Sequence, residues 1–198
     1  MKTIRKTSLI LMAIFSLAIV KANDSVKDGK VSVNAEKSEI TWLGEKVTGE
    51  HRGTIDIKEG SLEIKGGELT GGNFTIDMTT ITNTDQEGEY KGKLEGHLKS
   101  DDFFGVAKHP TASLSITKIA KKGDSYAITA DLTIKGITNS IQFKAQMVDL
   151  KGFYNINATI VIDRSKYDVR YGSGSFFDNL GDKTIYDEFT LTVKLVTK

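Results

Sequence analysis

"NFTIDMT", residues 73–79, sets Phe74, Ile76 and Met78 on one side of an extended chain and Asn73, Thr75, Asp77 and Thr79 on the other. A period of two that sorts apolar from polar is the pattern of a strand with one dry and one wet face. The same period runs outward in both directions. Before this stretch it takes in Ile40 and Trp42, Ile55 and Ile57, and Leu62 and Ile64. After it come Leu114 and Ile116, Tyr126, Ile128 and Ala130, Leu132 and Ile134, Ile141 and Phe143, the even residues from Ile156 to Ile162, and Phe189, Leu191, Val193 and Leu195. Glycine-bearing signals mark turns at "KEGS" (58–61), "KGGE" (65–68), "TGGN" (70–73), "KKGD" (121–124) and "LKGF" (150–153), because tight hairpins need the positive φ that glycine supplies. About eight antiparallel strands joined mainly by hairpins predict an all-β, up-and-down meander. Such a sheet hides its edges by closing into a barrel.

One segment breaks the rhythm. Tyr90, Leu94 and Leu98 recur every four residues among Lys91, Lys93, Glu95 and Lys99, a helical stripe. Ser100, followed by Asp101 and Asp102, has the look of a cap with acids in a first turn, which predicts a second short helix carrying Phe103 and Phe104. Residues 86–106 are therefore expected to form a helical insert whose Leu and Phe faces cover something apolar. Neighbours on a helix point about 100° apart, so one of the two phenylalanines is expected to face inward.

Residues 1–22 carry Lys2, Arg5 and Lys6 ahead of an apolar run from Leu9 to Val20, with Val20 and Ala22 suited to cleavage after Ala22. That is the three-part form of a signal peptide, and it is too short to span a bilayer. It predicts a periplasmic or secreted protein whose single domain occupies residues 23–198. Removing four cations (Lys2, Arg5, Lys6 and Lys21) and no acid takes the formal charge from +1 to −3. A faintly acidic chain has no basic stripe for phosphates, so neither nucleic acid nor an anionic membrane surface is an expected partner, and no stable membrane insertion is expected. With no cysteine, stability has to come from packing and sheet hydrogen bonds.

Five stretches in order, "TWLGEKVTGEHRG" (41–53), "GGNFTIDMTTITNTD" (71–85), "GHLKSDDFFGVAKHPTA" (96–112), "DLTIKGIT" (131–138) and "IDRSKYDVRYGS" (162–173), resemble the YceI-like family. One departure is Asp168, where the family's run has glycine. The resemblance implies a lipocalin-like barrel with a helical insert around a long apolar tunnel. It also implies binding of polyisoprenoid chains, such as isoprenoid quinones or prenyl phosphates, or of other long-chain amphiphiles. An eight-stranded barrel is either just filled by its side chains or open to one ligand.

The inward residues Trp42, Phe74, Ile76, Met78, Leu114, Ile116, Ile134, Phe143 and Ile160, with Leu94, Phe103 and Phe104 of the insert, are the expected cavity wall, although inward positions are core and pocket alike. His97, His109, Arg164 and Arg170 are candidates for contacting a polar head, against plainer roles as punctuation of the insert or as surface ion pairs. No metal is expected: the three histidines, with His51 first, lie 46 and 12 residues apart and none pairs at ligand spacing. "YGSGSFF" (171–177) is neither a nucleophile elbow nor a phosphate loop, and the acids fall on wet faces and turns. The expectation is thus a non-enzymatic carrier or scavenger with no cofactor beyond its lipid, and a homodimer stays open. The alternative is an envelope stress-response or interaction protein with a filled barrel that works through its surface.

Overall fold

The computed structural model describes residues 28–198; the signal peptide and its cleavage point lie outside the described residues. Among the described residues there are nine strands: β1 (Gly29–Ser32), β2 (Glu39–Lys46), β3 (Gly49–Lys65), β4 (Glu68–Asn83), β5 (Thr111–Lys122), β6 (Ser125–Ile134), β7 (Ile137–Asp149), β8 (Tyr154–Asp163) and β9 (Ile185–Val196). Helix α1 (Gly88–Lys99) lies between β4 and β5. All neighbouring strands are antiparallel, and eight of them close a ring in the order β3-β2-β9-β8-β7-β6-β5-β4, with β4 returning to β3. The ninth, β1, pairs with the far half of β3. A bridge from Val33 to Thr197 and the 3-10 turn Ala35–Lys37 then make β1 and β2 two pieces of one broken strand. The predicted up-and-down barrel is therefore the observed fold.

The alternation explains the closure. Along β6 buried and half-buried residues alternate without a break, with Tyr126, Ile128, Ala130, Leu132 and Ile134 buried. In β3 the inward set changes parity between Ile57 and Leu62, and the β3–β4 ladder shifts register between Ile57 and Glu59. A bulge there restores the apolar face to the interior.

Two expected turns are corrected. "KEGS" lies inside β3 and "TGGN" inside β4. Their glycines serve close approach: a Cβ on Gly60 would come 2.8 Å from Cδ1 of Phe74, and one on Gly71 would come 2.6 Å from Glu63 Oε2. By contrast, Gly66, Gly67, Gly123 and Gly152 do take positive φ in the predicted hairpins. The β6–β7 hairpin turns on Lys135 (φ 51°) and Gly136 (φ 76°), both left-handed as a two-residue loop requires.

The second short helix is also corrected. Ser100 ends α1: its hydroxyl donates to the His97 carbonyl at 2.7 Å. With that oxygen turned back, Phe103 and Phe104 sit in turns, their N–H groups donating to the carbonyls of Ser100 and Leu98 at 3.1 Å. Tyr90 of the helical stripe is exposed at 72%, so only Leu94 and Leu98 reach the barrel.

Candidate functional site

A cavity of about 240 Å³ runs along the barrel axis. All twelve residues expected at its wall line it, and both Phe103 and Phe104 are among them, where one had been expected. The difference follows from the backbone: in turns, unlike on a helix, successive side chains can converge. Their rings meet edge to face at 5.2 Å, and Phe104 meets Phe189 of β9 in the same way at 6.4 Å.

The wall is hydrocarbon from Ile128 and Leu195 at the β1 end to Trp42 and Phe104 near α1. Ionisable lining residues cluster at the α1 end: Glu45, Lys46, His51, His97, Arg164 and Glu188. The cavity is thus polarised along its axis. Glu95 fixes α1 over this end, accepting hydrogen bonds from the Thr82 hydroxyl and, at 2.8 Å, from the Asn83 N–H. Those two donors, against a smaller effect of burial, hold its carboxyl below the usual glutamate value.

His97 lines the cavity with its ring edge-on to Tyr171 at 4.3 Å and to Phe103 at 5.6 Å. Arg164 lines it too, but as a structural strut. It is 2% exposed and donates to the carbonyls of Val169 (2.7 Å), Ile185 (3.0 Å) and Tyr186 (3.1 Å). Asp187 Oδ1 stands 3.5 Å from its Nη2, near enough for an ion pair but without hydrogen-bond geometry. Burial lowers its pKa, and Asp187 and Asp163 pull it back up. The other two head-group candidates are corrected. His109 packs near Gly105 and Gly136, and Arg170 is an exposed partner of Asp168 with its guanidinium 5.0 Å from the Phe176 ring centroid; neither lines the cavity. Asp168, the departure from the family pattern, takes φ 59° after the 3-10 turn Arg164–Tyr167, a left-handed position where glycine is at ease.

His51 was missed from sequence. It lies across the β2–β3 ladder from Gly44, lines the rim, and has Nδ1 2.9 Å from Asp85 Oδ2. Its strand position after the hairpin was the available signal. Asp85 is lowered overall: burial raises it, but hydrogen bonds from the Arg52 N–H, His51 and Asn83 prevail. The indole N–H of Trp42 has no hydrogen-bond partner among the described residues. Those residues include no cluster of three or more metal-ligating side chains, and no helix of theirs is long and apolar enough to cross a membrane.

Set beside known proteins, residues 32–197 match the family model described as the YceI-like domain. A UPF0312 protein of Pectobacterium atrosepticum is 34% identical over 77 residues, which are 38% of this chain and 40% of that protein. Protein YceI of Escherichia coli is 34% identical over 76 residues, 38% of this chain and 37% of its own length. These aligned stretches thus cover less than half of either relative. Among solved structures, Burkholderia cenocepacia BcnA superposes with a TM-score of 0.70 at 19% identity, over 84% of this chain and 99% of its own. A polyisoprenoid binding domain from Saccharophagus degradans, implicated in plant cell wall breakdown, superposes at 0.65 with 16% identity, over 87% of this chain and 99% of its own. At such identities these likenesses establish the barrel with its insert.

Proposed function

The chain belongs to the YceI-like domain family, and from that premise and the wall of its cavity we propose that it is an exported protein that sequesters or carries a long-chain isoprenoid lipid, such as an isoprenoid quinone or a prenyl phosphate. The observation that carries this reading is the continuous hydrocarbon lining with ionisable groups at one end only. A polar substrate would find no partners along such a wall, whereas an alkyl tail would find its like.

The energetics are sufficient without any specific polar contact. Burial of an alkyl chain is worth roughly 0.8 kcal/mol per carbon, or about 4 kcal/mol per isoprene unit. Three or so units offset an association cost of about 4 to 15 kcal/mol. Phe103 and Phe104 stand at the α1 end, where they would shield the tail from water. The protein's part is retention and shielding, with no bond made or broken. The polyisoprenoid binding named for the Saccharophagus domain supports the choice of ligand class.

Native mass spectrometry of the mature protein, purified from its own cell envelope without detergent, tests the reading. A discrete added mass that extracts as a prenyl chain or quinone is the expected result. A bare protein mass that persists after incubation with quinones and fatty amides overturns it and moves function to the outer surface.

A further inference from the structure

The ladder between β7 and β8 stops part-way. It pairs Asp149 with Tyr154 through Lys144 with Thr159, although β7 reaches back to Ile137 and β8 runs on to Asp163. Continued in register, it would set Gln142 against Val161 and Ser140 against Asp163. Instead the strands part, and the seam is tied again only above, where Asn139 Nδ2 donates to the Lys166 carbonyl at 2.9 Å.

A slot of about 220 Å³ occupies the parting, with Ser140, Gln142, Asp163 and Lys166 on its walls. Two of its lining residues, Ile141 and Glu188, also line the main cavity, so the slot and the barrel interior share a stretch of wall. Tyr167 lines it as well. That residue is 1% exposed, yet its hydroxyl has no hydrogen-bond partner among the described residues. A buried hydroxyl without a partner is costly and uncommon. Burial pushes its pKa up to about 12, which keeps it a donor at neutral pH.

We infer that the slot is a lateral passage through the barrel wall and seats the neutral, hydrogen-bonding head group of a lipid whose tail fills the cavity, with the Tyr167 hydroxyl, buried in the empty protein and uncovered as the head group enters, as its donor. This rests on the lipid-holding reading above. The charges select against a phosphate: Asp163 and Glu188 face a single cation, Lys166, whose Nζ already stands 3.7 Å from Asp163 Oδ2. A carbonyl or an amide meets no such repulsion and finds amide and hydroxyl partners in Gln142 and Ser140.

Three probes with isoprenoid tails separate the possibilities: a geranylgeranyl naphthoquinone, geranylgeranyl phosphate, and squalene, which has no head. Quenching of Trp42, the sole tryptophan, reads the quinone, and displacement of that quencher reads the other two. In Tyr167→Phe, quinone affinity is expected to fall roughly 3- to 10-fold, squalene affinity to stay unchanged, and the unfolding midpoint of the empty protein to hold or rise. A purely structural role for the hydroxyl would instead lower the unfolding midpoint and leave quinone affinity unchanged. In the wild type the phosphate is expected to bind more weakly than the quinone. The double variant Gln142→Cys with Val161→Cys, both at exposed positions in a chain without cysteine, should take up quinone more slowly when oxidised and recover on reduction. Equal quinone affinity in wild type and Tyr167→Phe, or a phosphate bound as tightly as the quinone, overturns the head-group seat. Unchanged uptake by the oxidised pair overturns the passage. If the wild type binds neither quinone nor squalene, the lipid reading itself falls and takes this inference with it.

Discussion

The guanidinium of Arg164 lies over the ring of Phe103, 5.4 Å from its centroid, and so ties the end of β8 to the turns that follow α1. The same side chain holds three backbone carbonyls from the 164–186 region. Arg164→Ala would leave those acceptors and Asp187 without their cation in a buried place. The expected loss is about 3–5 kcal/mol, read as a lower urea midpoint. Arg164→Lys should recover only part of it, since a single ammonium cannot span the three carbonyls that the planar fork reaches. A loss under about 1 kcal/mol for the alanine variant would show that water replaces the guanidinium and that the strut is dispensable.

Gly53 sits where no other residue fits. A Cβ there would lie on the Thr82 carbonyl oxygen and within 2.6 Å of Cε2 of the Trp42 indole. Backbone and a cavity-wall ring are both in the way, so Gly53→Ala is expected to cost about 2–3 kcal/mol. That is roughly 4–12 °C in Tm for a chain of this size. Trp42 should also shift its emission maximum, because the ring must leave its seat for the methyl to be accommodated. An unchanged Tm would mean that β3 and β4 separate easily at this point.

The barrel and its lining were legible because both depend on local parity: a residue two positions from Phe74 faces the same way wherever the strand goes. Ile76, Met78, Leu114 and Ile116 followed at once. What parity does not carry is the relation between strands. The β7–β8 ladder ends at Lys144 and Thr159, and beyond it the 3-10 turn Arg164–Tyr167 packs against β7, a relation between separate segments that no local alternation carries. Arg164 was legible as a charge, but its acceptors are carbonyls, which every residue has and no composition reveals. Ser100 was misread because one hydroxyl can accept at a helix start or donate at a helix end, and the pattern of neighbours fits either. Gly60 and Gly71 looked like turns for the same reason: absence of a side chain permits both a positive φ and a close approach.

Acid should loosen the insert before it unfolds the barrel. Glu95 has a lowered pKa in the folded protein because Thr82 and Asn83 donate to its carboxylate. A group lowered on folding contributes stability that is fully present above its unfolded value, about 4.3, and is lost as pH falls through the folded value. Asp85, lowered by Arg52, His51 and Asn83 against its burial, acts in the same direction. Glu95→Gln is therefore expected to cost about 1 kcal/mol at pH 7 and to flatten the fall in stability below about pH 4.3. Amide exchange along Leu94–Leu98 between pH 3 and pH 6 checks the locus. Exchange that accelerates equally in β6 would show a global loss in place of release of α1.

A plug distinguishes an open barrel from a filled one. Ala158 faces the cavity from β8, opposite Val193 in one ladder and Ala145 in the other. Ala158→Phe adds a ring where the wall has only a methyl. If the interior is open, the ring occupies free space: Tm should hold within a few degrees, while isoprenoid binding read through Trp42 falls at least 10-fold. If the interior is filled, the ring must force the strands apart at about 1–3 kcal/mol or more, and Tm drops with no ligand effect to observe. Phe143→Asp provides the complementary change, since a carboxylate in the same hydrocarbon wall removes affinity for an alkyl tail without occupying room. Loss of binding in both variants, one by volume and one by polarity, would identify the axial cavity as the place where the tail lies.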